Sequence, residues 1–266
     1  MRWTTRSRTL RGLSLAALIA ATVGSATAHA AEAEAKALLK AMSDYLGAQK
    51  NISLDYDTTF EIVTTDKQKI QIAASGEVQL SRPDKMRATR KGGFADIEMI
   101  LNGPTFTVFG KNANAYLQAP VPGTIEEDIN EIREKLHRAL PGADLLAGDV
   151  YGTLMDGVTD VKDLGAGVIN GKTCDHLAFR AKDLDFQIWI AQGAEPYPCR
   201  YVITTTDVAM APEYSITISN FKTGDSAVAA NVFDFTPPAG ATKIDPADVK
   251  AAAGLGDLPP NAKLGE

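Results

Sequence analysis

"NISLDYDTTFEIV", residues 51–63, alternates: Ile52, Leu54, Tyr56, Thr58, Phe60 and Ile62 fall on one side, and Ser53, Asp55, Asp57, Thr59, Glu61 and Val63 on the other. A period of two is the mark of a strand with one apolar and one wet face. The next segment repeats it, with Ile70, Ile72, Ala74, Val78 and Leu80 against Gln71, Ser75, Glu77 and Gln79. Shorter strands follow near 85–90, 94–101, 105–109 and 113–119, punctuated by Gly92-Gly93, Asn102-Gly103-Pro104 and Lys111-Asn112. Six strands joined by tight turns predict an antiparallel meander, which tolerates water on one face only if the other is covered.

The covers are amphipathic helices. Before the first strand, Leu38, Leu39, Met42, Tyr45 and Leu46 recur at helical spacing and predict a helix over about 32–47. After the meander, Thr124 and Glu127 form a capping box for a helix with Ile125, Ile129, Ile132, Leu136 and Leu140 on one side, ended by Pro141-Gly142. A second, less regular helix runs through Leu145, Leu146, Tyr151 and Leu154. Strands then resume near 158, and Asn170-Gly171 marks a two-residue hairpin. Leu177 and Phe179 share one face of the following strand, while Cys174, His176, Ala178 and Arg180 share the other. Leu184, Phe186, Ile188 and Ile190, then Tyr201 and Ile203, then Tyr214, Ile216 and Ile218, continue the apolar face, and Phe233 with Phe235 reads as the last strand. The expected class is α+β: a broad, curved antiparallel sheet of about 11 strands with amphipathic helices over its apolar face.

The N-terminus is of a different kind. Arg2, Arg6, Arg8 and Arg11 precede a short apolar run, Leu13 to Val23, and Ala28-His29-Ala30 has the form of a small-x-small cleavage site. Residues 1–30 therefore read as a secretory signal, 31–245 as one domain and 246–266, rich in Ala, Gly and Pro, as a flexible tail; residue 31 is alanine, so no cysteine offers a lipid anchor at the cut. Four of the 27 basic residues lie in the leader and all 33 acidic ones after it, so the exported part carries a net charge of −10. Without a Lys/Arg stripe, that balance argues against nucleic acid or an anionic membrane as the main partner.

Chemistry has few candidates. Beyond the leader only His137 and His176 remain, too few for a zinc site of three or four ligands, so no metal and no cofactor is expected. Cys174 and His176 share a strand face about 6–7 Å apart along the backbone, and Asp175 points away from both, which leaves a Cys-His pair without an orienting third group. G-x-S-x-G, phosphate-loop and dinucleotide signatures are all missing. An oxidising compartment instead favours a Cys174–Cys199 disulfide. Geometry objects: with a strand between them, two spacings of about 4.8 Å exceed the usual reach of the bond. Pro196 and Pro198 leave room for the chain before Cys199 to fold back.

The order of these elements, with "SGEVQLSRPDKMR" (75–87), "PTFTVFGKNANAYLQAP" (104–120) and "FDFTPPAGATKID" (233–245), resembles the LolA-like superfamily of periplasmic lipid and lipoprotein carriers. "CDHLAFR" (174–180) and "DFQIWIA" (185–191) resemble an uncharacterised branch of predicted periplasmic proteins within it. The resemblance implies a half-closed β-barrel whose concave face, under a lid of amphipathic helices, encloses an apolar cavity, in a periplasmic, non-catalytic protein that holds a lipid, acyl chain or other hydrophobic small molecule. Leu54, Tyr56, Phe60, Ile62, Ile72 and Leu80, with Leu177, Phe179, Phe186, Ile188, Tyr201, Ile203, Tyr214, Ile216 and Ile218, would line its cavity. Ile125, Ile129, Ile132 and Leu136 would form the lid. Arg82, in the Arg-Pro step, matches a position near the mouth, where it would tie a lid helix or meet a head group; an ordinary strand-end arginine is the alternative. The branch does not carry over a lipoprotein cargo or delivery partner, and an envelope lipoprotein or membrane-protein partner stays open. So does the reading of a structural or interaction protein whose own helices fill the sheet face.

Overall fold

A computed structural model describes residues 20–136, 140–229 and 231–248; for 20–30, 133, 135 and 136 it describes the backbone alone. The predicted tail from 249 and His137 lie outside the described residues. Helix α1 (Ala20–Ala48) is followed by β1 (Asn51–Val63), β2 (Lys69–Ser81), β3 (Lys85–Gly92), β4 (Asp96–Asn102), β5 (Thr105–Gly110) and β6 (Ala115–Pro120). Then come α2 (Ile125–Leu136), a 3₁₀ turn (Ala143–Leu146) and α3 (Val150–Met155). The second half holds β7 (Asp160–Ile169), β8 (Lys172–Arg180), β9 (Leu184–Ala191), β10 (Pro198–Thr205), β11 (Glu213–Thr223) and β12 (Thr242–Ile244).

All twelve strands lie in one curved, unclosed sheet, ordered β12-β6-β5-β4-β3-β2-β1-β11-β10-β9-β8-β7. Every pairing is antiparallel except that of β12 with β6. The two meanders join through β1 and β11, where Tyr56 faces Ile218 and Phe60 faces Tyr214. The β7–β8 hairpin forms at Asn170-Gly171, both in the left-handed region (φ 49° and 80°), as a primed two-residue turn requires. Two boundaries differ from expectation. From Ala20, the first described residue, helix α1 runs unbroken past residue 31, since its alanine-rich sequence offers nothing to stop it.

The other difference concerns Phe233 and Phe235, which belong to no strand. After β11 the chain crosses the outer face of the sheet and reaches the β6 edge as β12. On the way Phe233 is buried, and the Phe235 ring packs 5.8 Å from Phe109 and 5.3 Å from Tyr116. Arg87 donates to the Val232 carbonyl (2.7 Å) and pairs with the buried Glu98. The strap answers a need set by β4 and β5, whose outward residues Ile100 and Phe109 are apolar and would otherwise face water.

The inner face carries the core. From α1, Ala35, Leu39, Met42 and Leu46 are buried with Ile125, Ile129 and Ile132 of α2 and with Val150 and Leu154 of α3, in one cluster with the wall of the sheet. At about 1.5–3 kcal/mol per fully buried aliphatic side chain, this contact dominates the stability of the roof.

Candidate functional site

The alternation read in the sequence sets the wall. Leu54, Tyr56, Leu80, Leu177, Phe179, Phe186, Ile188, Tyr201, Ile216 and Ile218 are buried in that cluster, and Ile62 and Ile72 are buried on the same face. Phe60, Ile203 and Tyr214 are only half-buried and form a cross-strand row. Phe179 and Phe186 stack with centroids 4.5 Å apart, and Tyr201 meets Phe186 edge-on at 5.8 Å. Tyr56 lies across β2 and donates to the Thr89 carbonyl (2.7 Å); burial pushes its hydroxyl up to about 12. That path needs Gly76, where a Cβ would collide with the Thr89 carbonyl oxygen and stand 2.7 Å from the Tyr56 ring. A lone glycine on the apolar side of an alternating strand is the sequence signal for such an approach.

Hydrogen bonds tie the roof to this wall and the pieces of the roof to one another. Arg82 donates from its two terminal nitrogens to the carbonyls of Leu146 (3.1 Å) and Ala147 (3.2 Å), which end the 3₁₀ turn; its Nε is buried without a partner. Burial presses the Arg82 guanidinium below its usual range, against the pull of the Glu126 carboxylate. Glu126 accepts from the Gly148 N–H (3.3 Å), and the buried Ser43 of α1 accepts from the Tyr151 N–H (2.9 Å). The start of α2 keeps one arm of the expected capping box: the Glu127 N–H donates to the Thr124 hydroxyl (3.3 Å), while the Glu127 carboxylate accepts from that same hydroxyl (2.7 Å) rather than from the Thr124 N–H. Ile125 donates to the Pro83 carbonyl (2.9 Å), next to Arg82. Ile125, Ile129 and Ile132 point into the cluster; the side chain of Leu136 lies outside the described residues.

Sequence reasoning missed Asp128. It has no exposed surface; Oδ1 accepts from the Gly123 N–H (2.9 Å), and Oδ2 has no partner. Burial raises its pKa, the Gly123 hydrogen bond works the other way, and Glu131, Glu127 and Asp84 push it further up. An acid in the first turn of a helix normally reads as a complement to the helix dipole, so its burial has no local signature.

Cys174 and His176 lie on the outer face, away from this wall. Cys174 is bonded to Cys199, with Cα atoms 7.0 Å apart. The register of β9 with β10 shifts between Pro198 and Arg200, so Cys199 is the extra residue of a bulge just where β9 ends at Ala191. That bulge lets the bridge pass the intervening strand. His176 stacks on Trp189 at 3.9 Å and shares a hydrogen bond with Gln187 (2.9 Å). Both groups therefore hold neighbouring strands together. Among the described residues no group of three or more His, Cys, Asp or Glu is placed to hold a metal ion, and no helix is long and apolar enough to cross a membrane.

The model of a family described as "Predicted periplasmic protein (DUF2092)" matches residues 35–246. A comparison with curated proteins finds no match. Among solved structures the chain is similar to the lipoprotein LppX of Mycobacterium tuberculosis, at 14% identity and TM-score 0.45 over 71% of this chain and 96% of that one. LprF of Mycobacterium bovis gives 16% and 0.43 over 79% and 98%. A LolA superfamily protein of Nitrosomonas europaea gives 11% and 0.35 over 76% and 97%. What fixes the fold is the sheet topology itself.

Proposed function

From the premise that the chain belongs to the family of predicted periplasmic proteins that matches residues 35–246, we propose that it binds a hydrophobic ligand without altering it. The ligand is a lipid, an acyl chain or the acylated end of a lipoprotein, taken up between the inner face of the sheet and the helical roof. Residues 1–30 act as a cleavable export signal, and the protein works in the periplasm as a carrier or envelope sensor, with an envelope lipoprotein or membrane protein as the partner that receives or reads the load. One observation carries this reading: the apolar inner face of a twelve-stranded sheet is roofed by helices with polar ties at the rim, where Arg82 donates to the carbonyls of Leu146 and Ala147 and the Ile125 N–H to that of Pro83. Each such tie is worth about 1–3 kcal/mol, which a bound ligand offsets when the roof opens.

A second reading has its own support. Wall and roof share one buried cluster, with Leu39, Met42, Leu80, Leu177 and Ile188 fully buried. A filled core of this kind suits a structural or interaction protein of the envelope. Native mass spectrometry of protein exported in its own host separates the two. Lipid adducts of defined mass, lost on delipidation and regained on adding a fatty acid, support the carrier. Bare protein that also fails to take up a fluorescent fatty acid refutes it.

A further inference from the structure

In β1–β4 the inward positions are every second residue from Ile52, Ile70, Met86 and Ile97, and Arg90 is the only charged one among them. A guanidinium half-buried on an apolar face is held there at a cost, so its setting matters. Across β4 it pairs with Ile97. On the other side, the register of Ala74 with Gly92 and of Val78 with Ala88 puts Gly76 opposite it, where the Tyr56 ring crosses β2 to reach the Thr89 carbonyl. Arg90 also lines a small notch with Ile72, Ala74, Gly92 and Phe94.

Tyr214 comes to the same place from the far side of β1, opposite Phe60. Its hydroxyl makes no hydrogen bond to another described residue, and Gly142, just before the 3₁₀ turn of the roof, lies over it: a Cβ there would stand 3.6 Å from the hydroxyl oxygen. Burial raises the pKa of both tyrosines, Tyr56 adds to the rise at Tyr214, and the Arg90 guanidinium opposes it at both. No carboxylate among the described residues acts on either hydroxyl. The acids at this end of the sheet are on the outer face or in turns: Asp96 pairs with Lys111, Glu213 accepts from the Thr204 hydroxyl, and Asp66 from that of Thr64. The inner face there is thus positive while the outside is acidic.

We propose that Arg90 and Tyr214 hold the anionic head group of an amphiphilic ligand, a carboxylate or a phosphate, with its acyl chain running over Tyr56 and Ile218 beneath the roof. A guanidinium has five donors and forks onto either oxyanion even while it keeps other partners, and the Tyr214 hydroxyl adds one donor. Arg82, beyond the opposite end of β3, is not placed for this role, since both its terminal nitrogens donate to the carbonyls of Leu146 and Ala147. The site rests on the carrier reading and names the ligand class that reading leaves open.

The test is displacement of the uncharged probe N-phenyl-1-naphthylamine from the delipidated, exported chain by dodecanoate, dodecyl phosphate and dodecanol, which share one tail. At least one anion should bind about tenfold or more tighter than the alcohol, and the tighter of the two tells a fatty acid from a phosphate head group. Arg90→Gln should remove this preference and leave the affinities for dodecanol and the probe within about twofold, while Arg90→Lys should keep part of it. Tyr214→Phe leaves the ring on the wall and should lower the preference about threefold. Equal affinity for all three amphiphiles overturns the head-group site and leaves the carrier reading standing. So does a preference unmoved by Arg90→Gln, or by Tyr214→Phe should the glutamine variant not fold; Arg90 is then a cover for the end of the wall with its head in water. A chain that takes up neither the probe nor any of the three overturns both.

Discussion

Arg82→Leu should loosen the roof locally and leave the wall alone. The leucine keeps apolar volume but removes both hydrogen bonds to the carbonyls of Leu146 and Ala147. Hydrogen bonds from a charged donor contribute about 1.5–3 kcal/mol each, and the variant also strands two acceptors at the rim. Against this stands relief from burying a guanidinium whose Nε has no partner. The net cost is about 2–4 kcal/mol, or roughly 30- to 700-fold in an opening equilibrium at 1.4 kcal/mol per decade. Native-state amide exchange reads it directly. Amides of the 3₁₀ turn and of Tyr151, whose N–H is held by Ser43, should lose protection by that factor, while those of β8 and β9 stay as they were. Arg82→Lys should recover part of the effect, because one ammonium cannot span both carbonyls as the planar fork does. Unchanged exchange in the roof would refute the latch, and an equal loss throughout the sheet would make Arg82 a general stabiliser instead.

Asp128 gives the chain a pH dependence of known sign. Burial holds its pKa above the usual carboxylate value, so the native state is penalised at neutral pH and the penalty fades as pH falls through the raised value. Asp128→Asn, which keeps an acceptor for the Gly123 N–H, should raise the urea midpoint at pH 7 and lose that advantage near pH 3.5. Phe60→Glu changes a half-buried wall residue and should reduce uptake of a fluorescent fatty acid at least about tenfold, whereas Asp57→Asn, on the outer face, should leave it within about twofold; equal uptake by the Phe60 variant would count against the inner wall as the binding surface. Replacing Cys174 and Cys199 by alanine opens a loop of 25 residues and should cost about 3 kcal/mol in a denaturant titration. In the exported wild type both thiols should resist alkylation until reduced.

The sheet was legible where a strand has one wet face. In β1 and β2 a period of two separates Ile52, Leu54 and Tyr56 from Ser53, Asp55 and Asp57, and turn residues set the register. The α2 start was legible because a capping box is local chemistry. Phe233 and Phe235 misled, because a buried strap and an edge strand can both alternate apolar with polar. The clue lay elsewhere, in β4 and β5, where Ile100 and Phe109 make the supposedly wet face apolar. The Cys174–Cys199 bond was legible from compartment and illegible from spacing, since one bulged residue decides whether β9 can be passed. Asp128 and Gly76 depend on what the fold brings against them, which local sequence does not encode.

Restraints divide between the faces of the sheet in a way that bears on motion. On the outer face, the Cys174–Cys199 bond, the His176–Trp189 stack and the strap with its Arg87–Glu98 pair brace the strands from β3 to β6 and from β8 to β10. On the inner face, Arg82 and the Ile125 N–H tie the roof to the sheet by hydrogen bonds, and Ser43 and Glu126 accept bonds that join the pieces of the roof to one another, each cheap to break beside a covalent bridge. Apolar contact supplies most of the hold on the roof, and it is the one interaction that a hydrophobic ligand can replace in kind. On the carrier reading proposed above, a ligand that covers Ile188 and Ile218 while the helices swing away would offset the larger part of the cost of opening the roof.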